Sequence, residues 1–173
     1  RHHFHQLSAM AENGDLEGIR EYLSLTGSRI PSLDMHFCKN RAADSVAGYY
    51  CELAHRSGIP FQAQMDLPAK VPVDEIDMCL VLSNLLENAM HAVTKLPVEK
   101  RIVHLSIFEK GNHLLILQKN PASETPVFSN GIPVTTAKNH GIGVQSVIYY
   151  VEKEHGQYQF CMEGEDFVVR IIL

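Results

Sequence analysis

The chain has 173 residues, of which 45% are hydrophobic and 20% charged, and its formal net charge is −5. That length predicts one ordinary domain, or one domain with a short appendage. No apolar run reaches the roughly 18 residues that a membrane span requires, and a negative charge without a basic cluster argues against a nucleic-acid ligand. Cys51 and Cys79 fall within apolar helical patterns, so they are interpreted as buried free thiols in a reducing compartment.

The N-terminal segment predicts a helical hairpin, assigned as a first domain over residues 1–30. A helical apolar stripe that starts at Leu7 ends at the turn pair Asn13-Gly14. Asp15 then has the chemistry of a helix N-cap at the start of a second helix. The chain begins without methionine or a signal-peptide pattern, so we expect it to be a piece of a longer protein.

Residues 36–173 are predicted to form the second domain. Spacings of three and four predict its helices, and alternation predicts its strands. In chain order the predicted elements are a helix from Asn40 to about Ser57, a strand at Ile59–Leu67, a helix over Met78–Val93 with Asp74 as N-cap, strands at Ile102–Phe108 and His113–Gln118, a polar loop from Asn120 to Lys138, a helix from Val144 to about Lys153, and strands at Gln157–Glu163 and Phe167–Leu173. This order predicts an α/β (α+β) two-layer sandwich, with helices on one face of a mixed, mostly antiparallel sheet.

A polar row runs along the predicted helix Met78–Val93. Asn84, Glu87, Asn88 and His91 are spaced three and four apart, so they lie on one helical face. Asparagine is a mediocre helix former, because its side chain competes for backbone hydrogen bonds. Taken alone, the row is either a solvated face with two chance asparagines or a row of oxygen ligands for a metal–phosphate.

A glycine-containing segment precedes the next predicted helix. It consists of Asn139, His140, Gly141, Ile142, Gly143 and Val144. Glycines immediately before a helix let backbone N–H groups approach a phosphate closely, and the helix N-terminus favours a negative charge there. A lone G-x-G is weak evidence, but this one follows the asparagine helix by about fifty residues, with a hairpin and a loop between them.

In that order, N-L-L-E-N-A (84–89) and H-G-I-G-V (140–144) resemble the N-box and second glycine box of the GHKL ATPase superfamily, most closely in the ATP-binding domain of bacterial sensor histidine kinases. The resemblance implies a Bergerat-type ATP-binding fold, with ATP and Mg²⁺ as cofactors. It also implies transfer of the γ-phosphoryl group to a histidine, a response regulator as partner, and a cytoplasmic location in a membrane-bound sensor. A P-loop enzyme is excluded, because the chain has no G-x-x-x-x-G-K-[ST].

The resemblance also implies roles for the polar row. Asn88 matches the second N-box asparagine and is expected to supply the protein oxygen for the metal, since Mg²⁺ takes few protein ligands and completes its shell with phosphate and water. Asn84, one turn earlier, is expected to support the phosphates or a magnesium-bound water. Glu87 is expected either to orient water or to face solvent, and Asn84 and Glu87 are the catalytic candidates.

Backbone amides at Gly141 and Gly143 are expected to hold the phosphates, with Lys138 or His140 adding positive charge. The complete set of expected nucleotide-binding residues is Asn84, Asn88, Asn120, Lys138, His140, Gly141, Ile142, Gly143 and Val144.

The sequence departs from the family pattern at two places. The first glycine box, D-x-G-x-G, whose aspartate holds adenine in the family, is absent, and Asn120-Pro121 stands at the end of the matching strand. Asparagine offers both a donor and an acceptor to the adenine edge, and kinases of the peptide-sensing type resemble this chain in having asparagine there. His91 stands where related kinases more often have lysine or an acid. It is either a partial cation near the phosphates, with a charge that depends on pH, or a partly buried helix histidine, and the second interpretation is preferred.

The first three residues, Arg1-His2-His3, resemble the end of the H-D-x-R-H-H motif of peptide-sensing kinases. That alignment implies a phospho-acceptor histidine before residue 1 and a homodimer formed through the N-terminal helices. The competing alignment makes His2 the acceptor, with His3 in place of the usual acid. Two further functions stay open: a nucleotide-binding module without catalysis, and a serine kinase of the anti-sigma-factor type.

Overall fold

The computed structural model describes residues 2–25, 36–134 and 142–173. Contacts divide the chain into two compact units, Arg1–Ser32 and Leu33–Leu173. In the first unit, helices α1 (His2–Glu12) and α2 (Leu16–Leu25) pack against each other. The predicted helical hairpin is therefore present.

The turn between α1 and α2 forms as its residue types dictate. Gly14 has a φ of +68°, a conformation that glycine adopts at no steric cost. The Asn13 side-chain amide donates to the Ala9 carbonyl at 2.8 Å. The Gly18 amide donates to the Asp15 carboxylate at 2.8 Å, so Asp15 caps α2 as predicted.

The second unit contains the remaining elements. In chain order they are α3 (Arg41–Arg56), β1 (Phe61–Asp66), α4 (Glu75–Thr94), a 3₁₀ turn (Val98–Lys100), β2 (Val103–Lys110), β3 (His113–Pro121), β4 (Val127–Ser129), β5 (Ile132–Val134), α5 (Ile142–Lys153), β6 (Gln157–Glu163) and β7 (Asp166–Ile172).

Five strands form one sheet in the order β1-β2-β3-β7-β6. The β1–β2 pair is parallel, while β2–β3, β3–β7 and β6–β7 are antiparallel. The β2–β3 turn has Gly111 and Asn112 at φ values of +59° and +64°, which is the left-handed geometry that suits a tight hairpin. The predicted mixed, mostly antiparallel sheet is confirmed.

Helix α4 is the centre of the helical layer, because it packs against α3, α5 and strands β2 and β3. Its inner face is almost completely withdrawn from solvent, including Met78, Leu82 and Leu86. Asp74 caps the helix as predicted, accepting from the amides of Ile76 and Asp77 at 2.9 and 3.0 Å.

Helices α4 and α5 run antiparallel. Near the start of α4, the buried Asp77 carboxylate lies 2.5 Å from Lys153 Nζ at the end of α5. Near the other end of the pair, Asn88 of α4 faces Gly143 in the first turn of α5. The two helices therefore pack side by side, from the Asp77–Lys153 contact at one end to the Asn88–Gly143 contact at the other.

Two features differ from the sequence prediction. The predicted loop from Asn120 to Lys138 contains a separate two-stranded sheet, β4–β5. Cys51 and Cys79 are half-buried rather than buried, and burial raises the pKa of both thiols. Across the three described ranges, no helix combines the length and apolar character needed to cross a membrane.

Candidate functional site

A cleft of about 560 Å³ opens between α4, the start of α5 and the inner face of the sheet. The segment 122–134 also contributes to its lining. The residues used below are Asn84, Glu87, Asn88, His91, Gln118, Asn120, Gly143, Val144, Phe160, Phe167 and Val169. We call the part formed by Asn84, Glu87, Asn88 and Gly143 the helix end. The part formed by Gln118, Asn120, Phe160, Phe167 and Val169 is called the sheet end.

The helix end collects the predicted polar row. Asn84 is half-buried, while Glu87 and Asn88 are exposed. The Asn84 side-chain amide donates to the Leu80 carbonyl at 2.7 Å, and its oxygen is not used in that bond. The helix end therefore presents amide and carboxylate oxygens to a cleft that water can enter.

Gly143 lies directly against the Asn88 side chain. A Cβ atom placed on Gly143 would come within 2.8 Å of both Asn88 Nδ2 and Asn88 Oδ1, a separation that real Cβ contacts do not show. Only a residue without a side chain leaves the Asn88 amide in its present position. The two motifs, fifty residues apart in the chain, thus meet at one point.

The structure places some of the other predicted residues and leaves others undescribed. Val144 lines the cleft, and Ile142 begins α5. Lys138, His140 and Gly141 lie outside the described residues.

The interpretation of His91 is wrong. His91 is exposed and lines the cleft, because it lies on the polar row of α4, while the buried Met90 and Val93 form the inner face of the same turn.

The sheet end contains two buried amide side chains on β3. Gln118 is 2% exposed and Asn120 is 1% exposed. Gln118 Nε2 donates to Asn120 Oδ1 at 2.8 Å, and Asn120 Nδ2 donates to the Pro121 carbonyl at 2.9 Å. Burial without such bonds would be costly, so these contacts fix both side chains.

Two aromatic rings, Phe160 and Phe167, line the cleft beside this pair, and a third ring stacks on them. Phe160 and Phe167 are stacked with centroids 6.3 Å apart, and Phe128 of β4 stacks on Phe167 with centroids 6.5 Å apart. Phe128 thereby fastens the β4–β5 hairpin to the main sheet. The sheet end is therefore apolar apart from its two amides.

Tyr50 of α3 is buried next to α4, close to Ser83 and Glu87. Burial raises the pKa of Tyr50 to about 12, and the negative charge of Glu87 adds to the effect. The Ser83 side chain shares a hydrogen bond with Tyr50. Tyr50 is thus a neutral neighbour of the Glu87 carboxylate throughout the physiological pH range.

Sequence reasoning missed Gln118 and the aromatic wall. Alternation along β3 places Gln118 on the same face as Asn120, since residues two apart point to the same side of a strand. That signal was available, but the apolar strand pattern gave no reason to expect a functional amide two residues before its end. The ring stack depends on strand pairing and was not readable from one strand.

A sequence-family model described as "GHKL domain" matches residues 73–173. No curated protein sequence gives a significant match.

Solved structures share the fold. A nucleotide-free form of the catalytic domain of histidine kinase ThkA is similar at a TM-score of 0.62 and 19% identity, over 78% of this chain and 92% of that chain. The mycobacterial sensor histidine kinase MprB gives 0.57 at 17% identity, over 74% and 91%. The Acinetobacter baumannii histidine kinase AdeS gives 0.56 at 13% identity, over 98% and 80%.

Proposed function

The chain belongs to the GHKL domain family, and from that premise we propose that its cleft binds Mg-ATP and that it serves as the ATP-binding catalytic domain of a sensor histidine kinase. In this proposal the chain is a protein-histidine kinase that transfers the γ-phosphoryl group of ATP to a histidine. The fold shared with histidine kinase catalytic domains supports the proposal.

The observation that carries the proposal is the contact between Asn88 and Gly143. The asparagine helix and the glycine segment matter for nucleotide binding only if they come together, and Gly143 approaches Asn88 so closely that a Cβ has no room. Backbone N–H groups at the start of α5 then face the same space as the Asn88 amide. Such N–H groups favour a phosphate.

The donor set at the helix end fits Mg²⁺. Asn84 and Asn88 bring hard amide oxygens, and the site is not a cage of carboxylates. That suits an ion that keeps water and phosphate oxygens among its ligands. Bound Mg²⁺ would neutralise phosphate charge, and we assign Asn88 as its protein ligand.

The other residues of the chain position the nucleotide. Asn84, tied to the Leu80 carbonyl, supports the phosphates from the preceding turn. Glu87 is exposed at the cleft and orients water or the incoming acceptor. Catalysis of phosphoryl transfer consists mainly of such positioning and of charge stabilisation.

The sheet end accommodates the base. Its aromatic and aliphatic walls match an apolar ring system, and the buried Asn120 amide can hydrogen-bond to the ring edge. Lys138, His140 and Gly141 stay proposed phosphate contacts. The proposal also includes a response regulator as partner, dimerisation through α1 and α2, and a cytoplasmic location.

Calorimetric titration of Mg-ATP tests the binding proposal. Asn88→Ala should remove Mg-dependent binding while the far-ultraviolet circular dichroism stays unchanged, because the side chain faces the cleft and not the core. Gln64→Ala, an exposed position on the opposite face of the sheet, is the control and should bind normally. Unchanged Mg-ATP affinity in folded Asn88→Ala would refute the assignment.

Incubation with γ-labelled Mg-ATP tests the transfer step. Acid-labile label on His2 would place the acceptor within this chain. Label that appears only in a longer chain, at a histidine followed by an acid, would support the H-D-x-R-H-H alignment. Binding without any transfer in either would favour the non-catalytic nucleotide-binding module, for which the neutral Asn120 in place of the family's aspartate is the supporting observation.

A further inference from the structure

Gln118 and Asn120 form a chain of hydrogen bonds whose direction is fixed at one end. The Pro121 carbonyl can only accept, so the atom of Asn120 that faces it at 2.9 Å is the Nδ2 donor. Asn120 Oδ1 must then lie on the other side of the amide, where it accepts from Gln118 Nε2 at 2.8 Å. Gln118 in turn is left with its Oε1 acceptor outside this chain of bonds.

The surroundings of Gln118 offer no competing polar side chain from the neighbouring strands. Its partner on β2 is Leu105 and its partner on β7 is Val169, both at most 2% exposed. Asn120 lies opposite Phe167. The two amides therefore cannot rotate freely, since either rotation would turn an acceptor towards an acceptor.

We propose that Gln118 is a specificity-determining residue of the base site: its donation to Asn120 adds a second bond to the one with the Pro121 carbonyl, and the two together hold the Asn120 amide in one orientation, so that the cleft reads adenine with a fixed neutral amide. This inference rests on the proposed function. On the Watson–Crick edge, adenine offers N6–H as a donor and N1 as an acceptor, whereas guanine offers O6 as an acceptor and N1–H as a donor. A freely rotating amide accepts either base, whereas a locked amide discriminates between them.

The lock also explains why asparagine, and not a carboxylate, stands at the end of β3. In Asn120→Asp one oxygen would accept from Gln118 as before, but the other would face the Pro121 carbonyl without a proton between them. Two acceptors at that distance repel each other. The carboxylate found in the family at this place is therefore expected to weaken ATP binding in this chain.

The test compares the affinities for Mg-ATP and Mg-GTP, each measured by calorimetric titration. Gln118→Met keeps the length and volume of the side chain but cannot donate, and Gln118→Glu keeps the shape but offers only acceptors. Gln64→Met and Gln64→Glu make the same changes on the exposed face of β1. In the unsubstituted protein, side-chain amide signals are followed by nuclear magnetic resonance during both titrations.

We expect the ATP-to-GTP affinity ratio to fall by about tenfold or more in both Gln118 variants, and to stay unchanged in both Gln64 variants. The Gln118 and Asn120 side-chain amide signals should shift with Mg-ATP. A folded Gln118→Met with an unchanged ratio would overturn the inference, because a packing role alone alters stability and not base preference. Unshifted Gln118 signals under saturating Mg-ATP would overturn it even where neither variant folds. If the unsubstituted protein binds neither nucleotide, the proposed function itself fails.

Discussion

The two ends of the cleft hold their polar groups in different ways. At the helix end, Glu87 and Asn88 are exposed and rest on a helix whose stability comes from its opposite face. At the sheet end, Gln118 and Asn120 are buried and hold each other through a directed chain of hydrogen bonds. The first end is organised by its backbone and the second by its side chains.

This difference separates binding from stability. An exposed amide exchanges its contacts with water at little cost, so its loss affects only the ligand. A buried amide whose partners are also buried leaves those partners unsatisfied when it is removed. Substitutions of the exposed Glu87 and Asn88 should therefore change affinity alone, and substitutions at the sheet end should change affinity and stability together.

The largest difference should separate Asn120→Ala from Asn88→Ala in urea unfolding. Asn120→Ala leaves the Gln118 donor and the Pro121 carbonyl without their hydrogen-bond partner, so we expect the free energy of unfolding to fall by about 2–3 kcal/mol. Asn88→Ala should change it by no more than about 0.5 kcal/mol. Equal losses in the two variants would show that the ends do not differ in this way.

Phe128→Ala should give the next largest effect, because it removes the outer ring of the stack and loosens the β4–β5 hairpin. Phe128 is only partly buried, so we expect a loss of about 1–2 kcal/mol in the same measurement. Phe108→Ala, at a ring 41% exposed on β2, should cost less. A larger loss at Phe108 would contradict the anchoring role of the stack.

Gly143→Ala should move affinity and stability in opposite directions. Alanine favours a helix over glycine by up to about 1 kcal/mol, so unfolding should be unchanged or slightly less favourable. The new Cβ displaces the Asn88 amide, so Mg-ATP affinity should fall about tenfold, equivalent to about 1.4 kcal/mol.

A double-mutant cycle sharpens that test. If Gly143→Ala acts through Asn88, it should cost no further affinity in a chain that already carries Asn88→Ala, with residual binding measured at high nucleotide concentration. Additive losses would mean that the glycine serves the phosphates directly.

The last effect concerns Tyr50 and arises only at alkaline pH. Because its folded-state pKa is raised to about 12 from an ordinary value near 10, its contribution to stability is complete below about pH 10 and is lost as the pH rises through 12. Tyr50→Phe should therefore lose less stability than the unsubstituted protein over that range. Tyr149→Phe, at a side chain 63% exposed, is the matched control. Identical slopes in all three proteins would rule out the effect.

The same contrast explains how much the sequence could predict. Helix α4, its Asp74 cap and its polar row follow from spacings of three and four within one segment, and these predictions are confirmed. The sheet type followed from the order of the elements. The contact of Gly143 with Asn88 could be expected only through the family resemblance, because periodicity says nothing about segments fifty residues apart.

The failures have local causes. Strands β4 and β5 have three residues each, too short for alternation to be visible among prolines and polar residues. Gln118 reads as an interruption of an apolar strand, since its partner is the Asn120 side chain, which is itself tied to the Pro121 carbonyl. Predictions for Lys138, His140 and Gly141 stay predictions.

The two faces of α4 make the helix intolerant of changes in its length. Each residue turns an α-helix by about 100°. A single insertion between Leu80 and Asn84 would therefore turn the downstream asparagines towards the core and turn Leu85 and Leu86 away from it. A substitution changes one position, whereas an insertion or deletion shifts every position beyond it. Homologous chains should therefore vary in the identity of residues along α4 but keep their number, and gaps in an alignment should fall outside Glu75–Thr94.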